Sequence, residues 1–202
     1  MEGPHTMTPQ YTDLQLDALR ELANIGSGNA GTALSAMLGQ PVDISVPAAS
    51  ALPLADAVEA AGDPEALATG VVVPIFGDIN ATVLLLFPPD DEETLCTLLG
   101  VPPHTEDGRG ALGEIGNILG CSYINSLAQM TGLAIEPHPP ETVADMVGAI
   151  MATVLATQAD QSNMALVMDS RLIVEEQECE LTFLLLPSLD GIDELLARLG
   201  LA

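Results

Sequence analysis

Two segments of the chain repeat apolar residues at helical spacing. Between residues 13 and 38, Leu19, Leu22, Ala23, Gly26, Ala30, Ala33, Leu34 and Met37 gather on one side of a wheel turned about 100° per residue. Asp17, Glu21, Asn24, Gly28 and Ser35 gather on the other side. The pattern returns over about 108–131. There Leu112, Ile115, Gly116, Leu119, Tyr123, Leu127 and Met130 form the apolar side, and Glu114, Asn117 and Cys121 the polar one. Two long amphipathic helices are predicted, each burying one face and wetting the other.

The segments after each helix also correspond. A short extended piece is predicted first, broken around Pro47 or Pro140. A second helical segment follows, in "PLADAVEAAG" (53–62) and in "ETVADMVGAIMATVLATQA" (141–159). Then come paired strands: "TGVVVPIF" with "NATVLLLF", and "MALVMDSRLIV" with "CELTFLLL". Their connections, "GDIN" and "EEQE", suit hairpins. An acidic, Leu-rich helical segment ending in Leu-Gly closes each half.

The correspondence extends to single residues. "LRELANIGSGNAGTALSAM" from Leu19 resembles "LGEIGNILGCSYINSLAQM" from Leu112, at an offset of 93 positions. The offset pairs Glu21 with Glu114, Asn24 with Asn117, and Pro47 with Pro140. The predicted fold is α+β, a mixed α/β composition with pseudo-twofold symmetry. One domain over 1–202 holds two repeats, about 11–100 and 105–202, preceded by a flexible tail at 1–10. Two hairpins can meet edge to edge in one antiparallel sheet, with the long helices packed outside.

Composition narrows the chemistry. The net charge is −25, there is no Lys, and only Arg20, Arg109, Arg171 and Arg198 are basic. Nucleic acid, bound chiefly through cations on phosphate, is an unsuitable partner, and so is an anionic membrane surface. No apolar run reaches the ~18 residues of a membrane span, and residues 1–10 lack the features of a signal peptide. A cytoplasmic protein that acts as a monomer is expected. Cys96, Cys121 and Cys179 lie far apart, and so do His5, His104 and His138. No metal site and no cofactor of its own are expected.

Gly26-Ser27-Gly28-Asn29-Ala30-Gly31 spells G-x-G-x-x-G. A dinucleotide fingerprint must follow a strand and open a helix, so that phosphate meets free N–H groups. These glycines sit in mid-helix, behind "LDALRELAN". Gly26 and Gly31 are expected to admit a close neighbour. Gly28, beside Asn24, is expected to keep the outer surface bare.

What stands out is a Glu and an Asn one turn apart on the wet face of each helix. One exposed Glu is ordinary. Asn is a poor mid-helix residue, because its amide competes for backbone hydrogen bonds, and its recurrence beside the same Glu points to use of the amide.

These residues resemble the CheC family of chemotaxis phosphatases. The family motif runs Asp or Ser, three residues, Glu, two residues, Asn, twenty-two residues, Pro. Asp17, Glu21, Asn24 and Pro47 stand in that register; Glu114, Asn117 and Pro140 repeat it, with Gly110 in place of Asp or Ser. CheX-like relatives carry a single site, and FliY-like relatives add a C-terminal flagellar-switch domain that this sequence is not expected to carry.

The resemblance implies hydrolysis of the aspartyl-phosphate on the response regulator CheY. Asn24 and Asn117 would position water, and Glu21 and Glu114 would pair with the regulator's active-site lysine. Asp17 would support the helix start, which Gly110 would weaken in the second copy. Mg2+ would belong to the regulator. The receptor deamidase CheD is a further implied partner. The alternative is a non-catalytic module of the same fold that sequesters CheD or phosphorylated CheY.

Overall fold

The computed structural model describes residues 11–157, 164–174, 176–188 and 191–201. The tail expected at 1–10 lies outside these residues, as do positions 158–159 and Glu175 of the segments expected above. The chain opens with helix α1 (Asp13–Leu38), then β1 (Val42–Pro53), α2 (Leu54–Ala60), the strands β2 (Leu67–Gly77) and β3 (Ala81–Phe87), and α3 (Pro89–Leu99). The order then recurs: α4 (Glu106–Thr131), β4 (Ile135–Pro137) with β5 (Glu141–Met146), α5 (Val147–Thr157), β6 (Met164–Val174), β7 (Gln177–Pro187) and α6 (Gly191–Arg198).

Both long helices are capped by threonine. The Thr12 hydroxyl accepts from the Gln15 N–H, and the Gln15 side chain accepts from the Thr12 N–H at 2.8 Å, a reciprocal capping box. Thr105 accepts from Gly108 N–H at 3.2 Å and opens α4. Gly39 and Gly132, at φ 69° and 71°, end the two helices in the left-handed region. Asp17 lies beyond the first turn of α1, where the helix dipole acts weakly, and pairs with Arg20 at 2.8 Å. Thr12 and Gln15, not Asp17, hold the start. Gly110 likewise lies past the start of α4, so Thr105 sets that helix end without it.

All strands join one antiparallel sheet in the order β1-β6-β7-β3-β2-β4, with β5 also on β2. The two hairpins meet at β3 and β7, from Ala81 opposite Pro187 to Leu86 opposite Thr182. Each half then gives its opening strand to the other half's hairpin: β1 pairs with β6, and β4 and β5 pair with β2. The long helices explain this exchange. α1 lays Leu19, Leu22 and Ala23 in a pocket wall shared with Leu166, Met168, Phe183 and Leu185 of β6 and β7. α4 sets Gly116 on Val71 and Gly120 on Val73 and Val83, on β2 and β3. Each helix rides on the opposite hairpin, and the strand that follows it lands at that hairpin's edge.

Alternate side chains of the central strands feed two cores. Val83, Leu85, Phe87, Leu166, Met168 and Phe183 face α1, α4, α3 and α6. Leu84, Leu86, Ala165, Val167 and Leu184 face α2 and α5. The period of two along each strand thus produces helices on both faces of the sheet.

Five local expectations need correction. Residues 141–146 form strand β5 and not the start of a helix; five of its six side chains are exposed, so no burial alternation marks it in sequence. Ala33 is exposed, being about 100° round the helix from buried Leu34. Met130, in the last turn of α4, is also exposed. Ser35 is half-buried: its hydroxyl donates to Gly31 O at 2.7 Å and accepts from Val42 N–H at 2.9 Å, tying α1 to β1. At Pro47 the chain stays in β1, with the register to β6 shifting between Ser45 and Ala48, whereas around Pro140 β4 and β5 separate.

Candidate functional site

Leu22, Ala23 and Gly26 are buried between α1, α4 and the sheet, which leaves Glu21, Asn24 and Gly28 facing outward. Glu21 and Asn24 are three residues apart and neighbours on the helix surface. A Cβ built on Gly28 meets nothing within 4 Å, so the surface one turn after Asn24 is bare. No intramolecular hydrogen bond or ion pair engages the side chains of Glu21, Asn24 or Glu114 among the described residues.

α1 is held in place by its crossing with α4. Gly26 lies against Tyr123, and the Tyr123 hydroxyl stands 2.7 Å from Ser27 Oγ. Ser27 donates its own proton to Ala23 O at 2.8 Å, so Tyr123 is the donor between the two hydroxyls. Asn29 Nδ2 donates to Ser126 Oγ at 3.1 Å. Gly31 faces Val42 O, 3.0 Å from where a Cβ would stand. Gly26 and Gly31 therefore mark close packing. The six-residue glycine motif lies wholly within α1, with helix on both sides, which is not the strand-to-helix setting a dinucleotide needs.

The second pair stands on α4, whose buried side carries Leu112, Ile115, Gly116 and Leu119. Glu114 is exposed and Asn117 is half-buried. The Cys121 thiol donates to Asn117 Oδ1 at 3.3 Å. Burial raises the Cys121 pKa above the usual thiol value, and the Glu114 carboxylate adds to the rise. The two pairs thus share their Glu and Asn but differ one turn later. Both long helices share one core and lie on the same face of the sheet.

Sequence reasoning did not single out Glu92, on α3. It is buried at 3% exposure, accepting from the Thr69 hydroxyl at 2.6 Å and from His104 N–H at 3.1 Å. His104 Nδ1 is 3.2 Å from the same carboxyl group. His104 precedes Thr105, so Glu92 fixes the turn from which α4 departs. The run "PDDEET" carries no signal separating this acid from its exposed neighbours.

Among the described residues, no group of three or more His, Cys, Asp or Glu side chains could hold a metal ion. No described helix is long and apolar enough to cross a membrane.

Comparison with known proteins meets this geometry at the same helices. The CheC-like family model matches residues 14–50 and 109–144, which include both Glu–Asn pairs. The CheY-P phosphatase CheC of Bacillus subtilis (strain 168) is 30% identical over 196 residues, 92% of this chain and 94% of that protein. Among solved structures, Thermotoga maritima FliY superposes with a TM-score of 0.76 at 18% identity, covering 95% of this chain and 98% of that one. A chain of the FliG–FliM complex from H. pylori gives 0.67 at 13% identity, covering 93% of this chain and 100% of that one. Similarity to B. subtilis CheC along nearly the whole of both chains, together with a CheC-like family match at the two helices that carry Glu and Asn, makes this chain a member of the CheC-like family.

Proposed function

We propose that this protein is a chemotaxis phosphatase that hydrolyses the aspartyl-phosphate of a CheY-type response regulator. The observation that carries the reading is the twofold Glu and Asn, one turn apart on α1 and on α4, with Glu21, Asn24 and Glu114 exposed and Asn117 half-buried. A relative similar over nearly the whole chain is named a CheY-P phosphatase.

The chemistry asks little of this chain. An aspartyl-phosphate is an activated acyl phosphate, and the regulator supplies its own Mg2+ and lysine. What remains is to hold a water in line with phosphorus. The Asn carboxamide oxygen accepts a hydrogen bond from that water, its NH2 donates toward a phosphoryl oxygen, and the group adds no charge. Positioning of this kind can supply much of the rate acceleration in phosphoryl transfer. Asn24 and Asn117 take this role. Glu21 and Glu114, one turn before, pair with the regulator's lysine and orient the docked helix. The interfacial ion pair gives register more than raw affinity.

The Lys-free, strongly acidic chain leaves cations on phosphate to the substrate. The same family reading gives CheD as a second protein partner and the cytoplasm as the place of action. A non-catalytic module is the alternative reading; a similar fold occurs in a chain of the FliG–FliM complex from H. pylori. The two retained amides favour catalysis.

The test follows decay of a phosphorylated CheY-type regulator with wild type, Asn24→Ala, Asn117→Ala and the double variant. Each single variant should keep part of the acceleration and the double variant none. Wild-type acceleration surviving in the double variant rejects the amide mechanism. No acceleration by wild type, with or without CheD, supports the binding module instead.

A further inference from the structure

We propose that Cys121 is a positioning residue that restrains Asn117, so that the second site turns over more slowly than the first. The proposal rests on the phosphatase reading above. Its basis is a chemical difference one turn after the Asn of each pair. On α4 the Cys121 thiol donates to Asn117 Oδ1 at 3.3 Å. On α1 the corresponding residue is Gly28, with nothing within 4 Å of a Cβ placed there. Asn117 is half-buried, while Asn24 is exposed.

The occupied atom is the one the reaction needs. The amide oxygen of Asn must accept from the attacking water, and at Asn117 a thiol proton already takes one of that oxygen's two lone pairs. The same contact ties the carboxamide back along its own helix. The oxygen keeps a second lone pair, so the restraint is one of direction: Asn117 must turn against this weak hydrogen bond to aim that lone pair at a water. Asn24 has no such step. The Glu114 side chain makes no intramolecular hydrogen bond or ion pair among the described residues, so anchoring of the partner is unaffected. The restraint acts on kcat and leaves KM in place.

The experiment isolates each site in the full chain. In an Asn24→Ala background, Cys121→Ala and Cys121→Gly should raise kcat toward phosphorylated CheY by roughly two- to fivefold, within the range one weak hydrogen bond spans, at constant KM. In an Asn117→Ala background, Gly28→Cys should lower kcat below that of Gly28→Ala. A purely structural cysteine would give lower or unchanged kcat on removal, and that result overturns the proposal. An Asn24→Ala protein inactive with or without Cys121 also overturns it. Failure of the wild type to accelerate dephosphorylation instead removes the phosphatase reading, and the proposal with it.

Discussion

Gly26 and Tyr123 touch where α1 crosses α4: a Cβ on Gly26 would stand 2.5 Å from Tyr123 Cδ1 and 3.0 Å from its Cα. The backbone contact cannot be relieved by turning the ring alone. The crossing therefore fixes both motif-bearing helices against each other.

The two glycines of α1 should respond oppositely to the same change. Gly26→Ala gains helix propensity but forces the crossing apart, and is expected to lose about 1–2 kcal/mol of unfolding free energy. Gly28→Ala meets open space and should gain about 0.5–1 kcal/mol. Urea unfolding of the two variants checks this; a Gly26→Ala protein as stable as Gly28→Ala would contradict the crossing.

Charge at Glu21 and Glu114 should act on binding. Glu21→Gln and Glu114→Gln together are expected to raise KM for the phosphorylated regulator and flatten its dependence on ionic strength. Both side chains are exposed and unpaired among the described residues, so unfolding free energy should stay within about 0.5 kcal/mol. Steady-state kinetics at low and high salt read the first effect, and denaturant titration the second.

Glu92→Ala should be costly although it lies outside the candidate site. It leaves the buried Thr69 hydroxyl and the part-buried His104 N–H without their acceptor. A loss of about 2–4 kcal/mol is expected. Thermal and denaturant unfolding measure it, and Glu92→Gln, which keeps an acceptor in place, should lose less.

Alkaline pH should destabilise the fold through Cys179. Burial, with a smaller contribution from the Asp91 charge, pushes its pKa from the ordinary 9.0 to about 11. The folded thiol keeps its proton where the unfolded one has lost it, so the unfolded chain binds fewer protons and stability falls as pH rises from about 9 toward 11. Unfolding free energies at pH 8, 9 and 10 should decline, and Cys179→Val should decline less steeply. Equal slopes would place the loss elsewhere.

Much of this arrangement was legible from local pattern. The bounds of α1, the two hairpins, the outward setting of Glu21, Asn24 and Glu114, and the close packing at Gly26 all follow from spacing along one element. β5 was not legible, because an exposed edge strand leaves no alternation to read. Glu92 was missed for a related reason. Its burial depends on Thr69 and His104, 23 and 12 residues away, and not on the acidic run around it.

The two helices, their faces, the duplication and the Glu–Asn pairs are set by the order of residues alone, since helical and strand periodicities are properties of that order. Tertiary structure alone decided which hairpin each opening strand would join. Two halves with the same local pattern offer equivalent edges, and the choice is made only when α1 and α4 pack across the sheet. It also decided that Asn24 is unengaged while Asn117 meets the Cys121 thiol, because a side-chain hydrogen bond depends on burial and rotamer, which the order of residues does not carry.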